Sequence, residues 1–246
     1  MNESGWALVT GGCMRVGAYI NEYLAARGKN LVLHFNQSSQ PALALQKKLE
    51  STYSIKTVLW QQDLSKCHKI TESIETLLKQ IDYIDLLINN ASMFEVGSIQ
   101  TSSLDLIQNN LSVHLTAPWL LTQSIAKQNK AAQVINILDA NLSHRYTSKA
   151  AYFISKKALE TLTELSAIEL APHIRVNGIA PGYVLPPNQA SESIKKSDMN
   201  LMHTPIALDQ FTNTIEYLQK NSSMTGQIIH LDGGSHLSCP PYMLKN

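Results

Sequence analysis

Cysteine is scarce: Cys13, Cys67 and Cys239 are the only three in 246 residues, and they lie far apart. An odd, scattered set builds no disulfide framework, so all three read as free thiols of a reducing compartment. None of the eight histidines forms a His-x-x-x-His pair and no two cysteines form Cys-x-x-Cys, so no metal centre is expected. An excess of one charge is also missing. With 20 basic and 19 acidic residues the net charge is +1, which offers no electrostatic footprint for nucleic acid or an anionic membrane. No apolar run reaches the roughly 18 residues of a membrane-spanning helix. The segment Met1–Gly5 carries no basic stretch leading into a long apolar one. No signal peptide is therefore expected, and a cytoplasmic location is.

Short apolar runs alternate with amphipathic stretches. Strands are predicted at Trp6–Thr10, Asn30–Phe35, Ile55–Trp60, Leu86–Asn89, Val134–Leu138, Arg175–Gly178 and Ile228–Leu231. Their density of Val, Ile and Leu suits strands buried on both faces. The clearest helical spacing falls at Val16–Arg27, Pro41–Ser51, Ile70–Gln80, Leu104–Ala126 and Ala150–Leu170. The rhythm predicts an α/β fold: a Rossmann-like, doubly wound parallel sheet of about seven strands with helices on both faces. One domain over residues 1–246 is expected. The polar, proline-containing stretch at about 182–204 reads as a substrate lid. The tail at Cys239-Pro240-Pro241-Tyr242 is read as packing on a neighbouring subunit.

The first strand runs directly into Thr10-Gly11-Gly12-Cys13-Met14-Arg15-Val16-Gly17 and then a helix. Glycines there permit a tight turn and close approach of backbone to phosphate, and the helix N-terminus supplies N–H groups. The bland alternative is a plain strand-to-helix turn. After the second strand stand Asn36, Gln37, Ser38 and Ser39, with no carboxylate to repel a ribose 2′-phosphate. That leans towards NADP. Asp63, followed by Leu64, either accepts from an adenine amino group or caps a helix, and the two readings are compatible. Asn89-Asn90-Ala91-Ser92 closes the fourth strand with small polar residues suited to a cofactor cleft.

Tyr152 and Lys156 are four residues apart on a predicted helix and share a face. An ammonium beside a phenol is expected to lower the phenol pKa towards the range useful for acid–base catalysis, and Lys156 can also hold a nicotinamide ribose. By itself such a pair is commonly a surface accident. Asp139, 13 residues upstream and just past the fifth strand, would face the same cleft. It would keep a proton or orient Tyr152, unless it is a solvated loop residue.

Together, Thr10–Gly17, Asp63, Asn89–Ala91, the Tyr152/Lys156 pair, Asn177-Gly178-Ile179-Ala180-Pro181-Gly182 and Asp232-Gly233-Gly234 resemble the short-chain dehydrogenase/reductase family. The resemblance covers nearly the whole chain. It implies a nicotinamide cofactor, contacts to it from Pro181 and Gly182, and a homotetramer. Asp139 stands where most of that family carries Ser. With Arg15 in the glycine turn and Asn90-Ala91-Ser92-Met93-Phe94, it is similar to the pteridine reductases. That branch implies Phe94 stacked on a pterin, Arg15 and Ser92 touching both pterin and cofactor, and NADPH reducing a dihydropterin such as dihydromonapterin, dihydrobiopterin or dihydrofolate. His114, four residues before Pro118, occupies the position of the family's catalytic Asn and resembles the dihydromonapterin reductases. It either replaces that Asn in catalysis or is a helix residue with a satisfied side chain. The rival readings are a reductase of another carbonyl and an NADP-binding sensor without turnover. The intact Tyr152 and Lys156 argue against the sensor.

Overall fold

A computed structural model of the chain describes residues 5–143, 147–184 and 200–237. Seven strands form one sheet: β1 (Trp6–Val9), β2 (Asn30–Phe35), β3 (Thr57–Gln61), β4 (Ile84–Asn89), β5 (Ala132–Ile137), β6 (Ile174–Pro181) and β7 (Ile228–Leu231). Their order is β3-β2-β1-β4-β5-β6-β7 and every neighbouring pair is parallel. The expected doubly wound fold is the one observed. The direction of winding reverses between β1 and β4. In such sheets that reversal opens a crevice at the carboxyl ends of the strands, where ligands bind.

The helices are α1 (Arg15–Ala25), α2 (Ser39–Thr52), α3 (Ile70–Leu78), α4 (Leu104–Leu111), α5 (Ala117–Ala126), α6 (Ala150–Leu170) and α7 (Leu208–Lys220). Successive strand residues point to opposite faces, so each strand feeds two cores. Ala7, Val9, Leu31 and Leu33 pack with Ile20 and Leu24 of α1, Leu49 of α2 and Phe211 of α7. Trp6, Leu8, Val32 and Leu87 pack on the other side with Ile74 of α3 and Leu121 and Ile125 of α5. This explains the unbroken apolar runs of the central strands, neither of whose faces meets water.

Three elements differ from the sequence expectation. β6 extends through Pro181, three residues beyond the predicted Gly178, and carries the chain further towards the crevice. The stretch Leu104–Ala126 is two helices joined by a widened, π-type turn at Ser112–Thr116. Pro118 has no N–H to give to the His114 carbonyl four residues back, and its ring crowds that carbonyl, so the turn opens. α7 lies outside the predicted helices. Its apolar stripe is Leu208, Phe211, Ile215 and Leu218, set in an otherwise polar segment. Of the predicted lid, only 182–184 and 200–204 belong to the described residues. Residues 185–199 and the tail from 238 lie outside them.

A buried polar strut ties α6 to the sheet beneath the crevice. The Asn89 amide donates to Asn136 Oδ1 at 2.7 Å, and the Asn136 amide donates to Thr163 Oγ1 at 2.9 Å. Asn136 and Thr163 are almost wholly buried, so an unpaired member would keep its full desolvation cost. Thr163→Val should therefore lower the unfolding free energy by about 1–3 kcal/mol, read from a denaturant midpoint. An unchanged midpoint would remove the strut from the stability of the fold.

Candidate active site

The crevice is built from the loops that leave β1, β2, β4, β5 and β6. At its first wall, Gly11 takes a left-handed φ of 61°. Gly17 has no room for a side chain, because a Cβ there would meet the Gly11 carbonyl and stand 2.8 Å from Asn90 Nδ2. Thr10 Oγ1 accepts from the backbone N–H groups of Asn90 and Ala91, both at 2.9 Å, which locks this turn to the end of β4. Met14, the N-cap of α1, provides no capping side chain, and the first turn of α1 holds no acid. Its leading N–H groups are thus suited to an anion. The exposed Arg15 sits at φ 53°, a conformation that costs a non-glycine residue energy and that clusters at functional sites. Val16 is half-buried behind it.

One residue of this wall has no counterpart among the sequence expectations. His34, buried in β2, accepts at Nδ1 from the Gly11 N–H (2.8 Å) and donates from Nε2 to the Gln62 carbonyl (2.9 Å). The backbone carbonyl of His34 accepts from the Gly12 N–H at 3.0 Å. Burial pushes the imidazole down to about 4, so it braces the glycine turn as a neutral ring. The available signal was a histidine inside an otherwise apolar strand.

Asn36 and Gln37 are exposed, and Ser38 is half-buried as the N-cap of α2, whose first turn also lacks an acid. The three residues thus surround a positive helix end, as a 2′-phosphate site requires. Asp63 is engaged locally. Its Oδ1 accepts from Ser65 N (2.9 Å) and Ser65 Oγ (2.7 Å), forming a turn rather than a helix cap, while Leu64 is buried in the core. Pro181 and Gly182 end β6 at the far wall, where a Cβ on Gly182 would come within 2.9 Å of Asp232 Cα.

The second wall brings the predicted chemical groups together. Tyr152 Oη donates to Asp139 Oδ2 at 2.7 Å, and Asp139 Oδ1 accepts from the Asn141 N–H at 2.8 Å. Lys156 Nζ donates to the Ile137 carbonyl at 2.7 Å. The Phe94 ring meets Tyr152 edge-on, with centroids 4.7 Å apart. Phe94 keeps 51% of its surface exposed. Lys149 Nζ lies 3.2 Å above that ring, a cation–π contact that the sequence did not suggest. Backbone bonds Gly97 N to Ser148 O (2.8 Å) and Ala150 N to Gly97 O (3.0 Å) fasten the Phe94 loop to the start of α6.

The electrostatics correct one expectation. The Tyr152 pKa is raised well above its ordinary value, first by burial and then by the Asp139 charge and the bond donated to it. Lys156 does not reverse this. Burial brings its own pKa down to about 8, and its ammonium is directed at the Ile137 carbonyl. At neutral pH Tyr152 is a protonated phenol that shares its proton with a carboxylate.

His114 is fully engaged. Nε2 accepts from the Met93 N–H (3.2 Å) and meets Ser92 Oγ at 3.0 Å, so Nδ1 carries the proton and donates to Ser155 Oγ at 2.8 Å. Ser155 in turn donates to the Tyr152 carbonyl. Burial, then the Lys156 charge, holds the ring well below its usual pKa. The ring also meets Tyr152 edge-on, with centroids 5.4 Å apart. It joins the Ser92–Phe94 loop to α6.

A parallel sheet with a phosphate-sized glycine turn at its switch point, and a Tyr/Lys pair beside it on α6, defines a nucleotide-linked oxidoreductase. The chain belongs to the short chain dehydrogenase family, whose model matches residues 5–197. The crystal structure of FolM alternative dihydrofolate reductase 1 from Brucella canis, complexed with NADP, superposes with a TM-score of 0.87 at 32% identity, covering 97% of each chain. Dihydromonapterin reductase of Escherichia coli is 26% identical over 94% of this chain and 96% of its own. The 3-oxoacyl-[acyl-carrier-protein] reductase FabG of Staphylococcus epidermidis is 27% identical over 96% of this chain and 100% of its own. No helix among the described residues is long and apolar enough to cross a membrane.

The native pKa of His34 lies below the ordinary value of about 6.5, so protons bind the unfolded chain preferentially between those two values. The neutral ring's contribution to stability is complete above about pH 6.5 and is lost as pH falls towards 4, on the order of 3 kcal/mol. Nitrogen NMR of the ring and unfolding curves across that window should show this. A His34 that titrates near its ordinary value would refute the brace.

Proposed function

We propose that this chain is an NADPH-dependent reductase that converts a dihydropterin to its tetrahydro form. The observation that carries the reading is the Tyr152–Asp139 hydrogen bond lying against the half-exposed Phe94 ring. A ketone reductase has little use for a half-exposed aromatic ring and a carboxylate there, whereas a flat, polar heterocycle packs on the first and hydrogen-bonds to the second. The FolM and dihydromonapterin reductase relatives support the same substrate class.

The residues present fit NADPH. The Gly11–Gly17 cradle and the uncapped start of α1 suit a pyrophosphate, and Asn36, Gln37 and Ser38 suit a 2′-phosphate. Asn90, Ala91, Asp63, Pro181 and Gly182 would line the remainder, and Lys156 would hold the nicotinamide ribose. When bound, the cofactor supplies the hydride. The chain supplies position and a proton. Phe94 carries the pterin ring, Arg15 and Ser92 fix its polar edge, and Tyr152 holds a proton that Asp139 orients. His114 acts as a positioning residue that keeps Ser92 and Phe94 against α6.

The reading takes the chain as a single cytoplasmic domain, with 182–204 as a lid, that assembles as a homotetramer. Leu104, Trp119, Ile154 and Ile168 on α4–α6 are more than half exposed, an apolar face that further copies would cover.

Assays of NADPH oxidation with dihydromonapterin, dihydrobiopterin and dihydrofolate should give turnover, and NADH should serve less well. The FabG relative favours one alternative, reduction of a 3-oxoacyl thioester. Faster turnover of such a thioester than of any pterin would replace the proposal with that alternative. Tyr152→Phe should lower kcat with the pterin by at least on the order of a hundredfold, as expected for loss of an acid–base group. Near-normal turnover in that variant would exclude the phenol as proton donor.

A further inference from the structure

A second cluster of titratable groups lies at the end of β7, where the turn Ser235–Leu237 packs against Ala140–Ser143. His230 and Asp232 are two residues apart and leave the strand end on one side. Gly233 (φ 61°) and Gly234 (φ 83°) then turn the chain back in left-handed conformations, and the short turn Ser235–Leu237 returns His236 to the same place. The result is a stacked pair of imidazoles, with centroids 4.1 Å apart, over a carboxylate. His236 Nδ1 is 2.8 Å from Asp232 Oδ2, and one ligand atom from each of the three residues lies within 4.8 Å of the others.

We propose that His230, Asp232 and His236 form a binding site for a divalent transition-metal ion of the zinc type. The donor set is two imidazole nitrogens and one carboxylate oxygen, which suits zinc or cobalt and not the oxygen-seeking magnesium or calcium. Asp232 is 3% exposed and oriented by the chain itself. Oδ1 accepts from Gly234 N at 3.0 Å, and Oδ2 accepts from Ser235 Oγ at 2.9 Å and from His236 N at 2.6 Å. Such outer hydrogen bonds are what fix a ligating carboxylate. Bonds of about 2.0–2.1 Å to a tetrahedral ion bring ligand atoms to about 3.3 Å apart, so the exposed His230 swings inward by on the order of 1–2 Å. His236 coordinates through Nδ1 in the tautomer that carries its proton on Nε2. Water completes the shell.

The site also has a structural reach. A Cβ on Gly182 would touch Asp232, and one on Gly233 would stand 2.6 Å from Asn200 Cγ. Gly182 N bonds to the Leu231 carbonyl at 2.9 Å. An ion here therefore staples the turn on which both described ends of the 182–204 segment rest.

Zinc titration of the full-length, tag-free protein against a competing chelator tests this. The parent should bind one ion per chain, gain thermal stability that EDTA reverses, and develop visible absorption bands of low-symmetry cobalt when Co²⁺ replaces zinc. His230→Asn and His236→Asn should each weaken binding by more than about tenfold, since loss of even an outer-shell partner costs that much. His230 is exposed, so its variant is expected to fold, which circular dichroism would verify. His173→Asn, at an exposed histidine elsewhere, should bind as the parent does. Overturning results are no stoichiometric binding by the parent, unchanged affinity in both site variants, or an equal loss in the His173 control.

Discussion

The hydrogen bond from the Tyr152 hydroxyl to the Asp139 carboxylate is the contact on which the rest of the site depends. It joins the end of β5 to the first turn of α6, and every other chemical group is disposed around it. Burial of the phenol makes the proton stay on oxygen, and the neighbouring carboxylate reinforces this, so the pair stores a proton in a dry place. The Phe94 loop leans on the same tyrosine from outside, and the His114 ring packs on it from the side at 5.4 Å. Remove the carboxylate and the phenol loses its acceptor. Shift α6 and the aromatic platform moves with it.

The fold was legible because strands buried on both faces leave long apolar runs, and because glycines at a strand end mark a tight turn that bulkier residues resist. All seven strands were readable, with their ends off by a few residues where pairing, rather than composition, decides the boundary. Helix α7 escaped because its one apolar face, Leu208, Phe211, Ile215 and Leu218, is set in an otherwise polar segment, although Phe211 and Ile215 are buried as deeply as any core residue. The π-type turn was invisible as well. Pro118 announced a disturbance, but its form depends on what the helix packs against.

In the site, Tyr152, Asp139, Phe94 and His114 stand in contact, while the electrostatic behaviour of the group was only partly readable. Spacing put Tyr152 and Lys156 on one face, but the partner of each group is fixed by long-range packing: Ile137 takes the ammonium and Asp139 takes the phenol. Burial, reinforced by the Asp139 charge, reverses the expected shift of the tyrosine. His34, Lys149 and Ser155 act through neighbours far away in sequence, 23 residues in the case of His34 and Gly11. The trio at His230, Asp232 and His236 was hidden for a related reason. Its spacing follows a strand and a glycine turn rather than one helical turn.

The widened turn at Ser112–Thr116 has a consequence for how this chain tolerates length changes. A π-type turn holds one residue more than the helix around it needs, so it takes up a difference in register between α4 and α5. In an unbroken helix an indel of one residue rotates one half against the other by about 100°. Here the loss of one residue would be absorbed by the turn, leaving Asn110 enclosed and the faces of α4 and α5 in place, while Pro118 still interrupts the ladder.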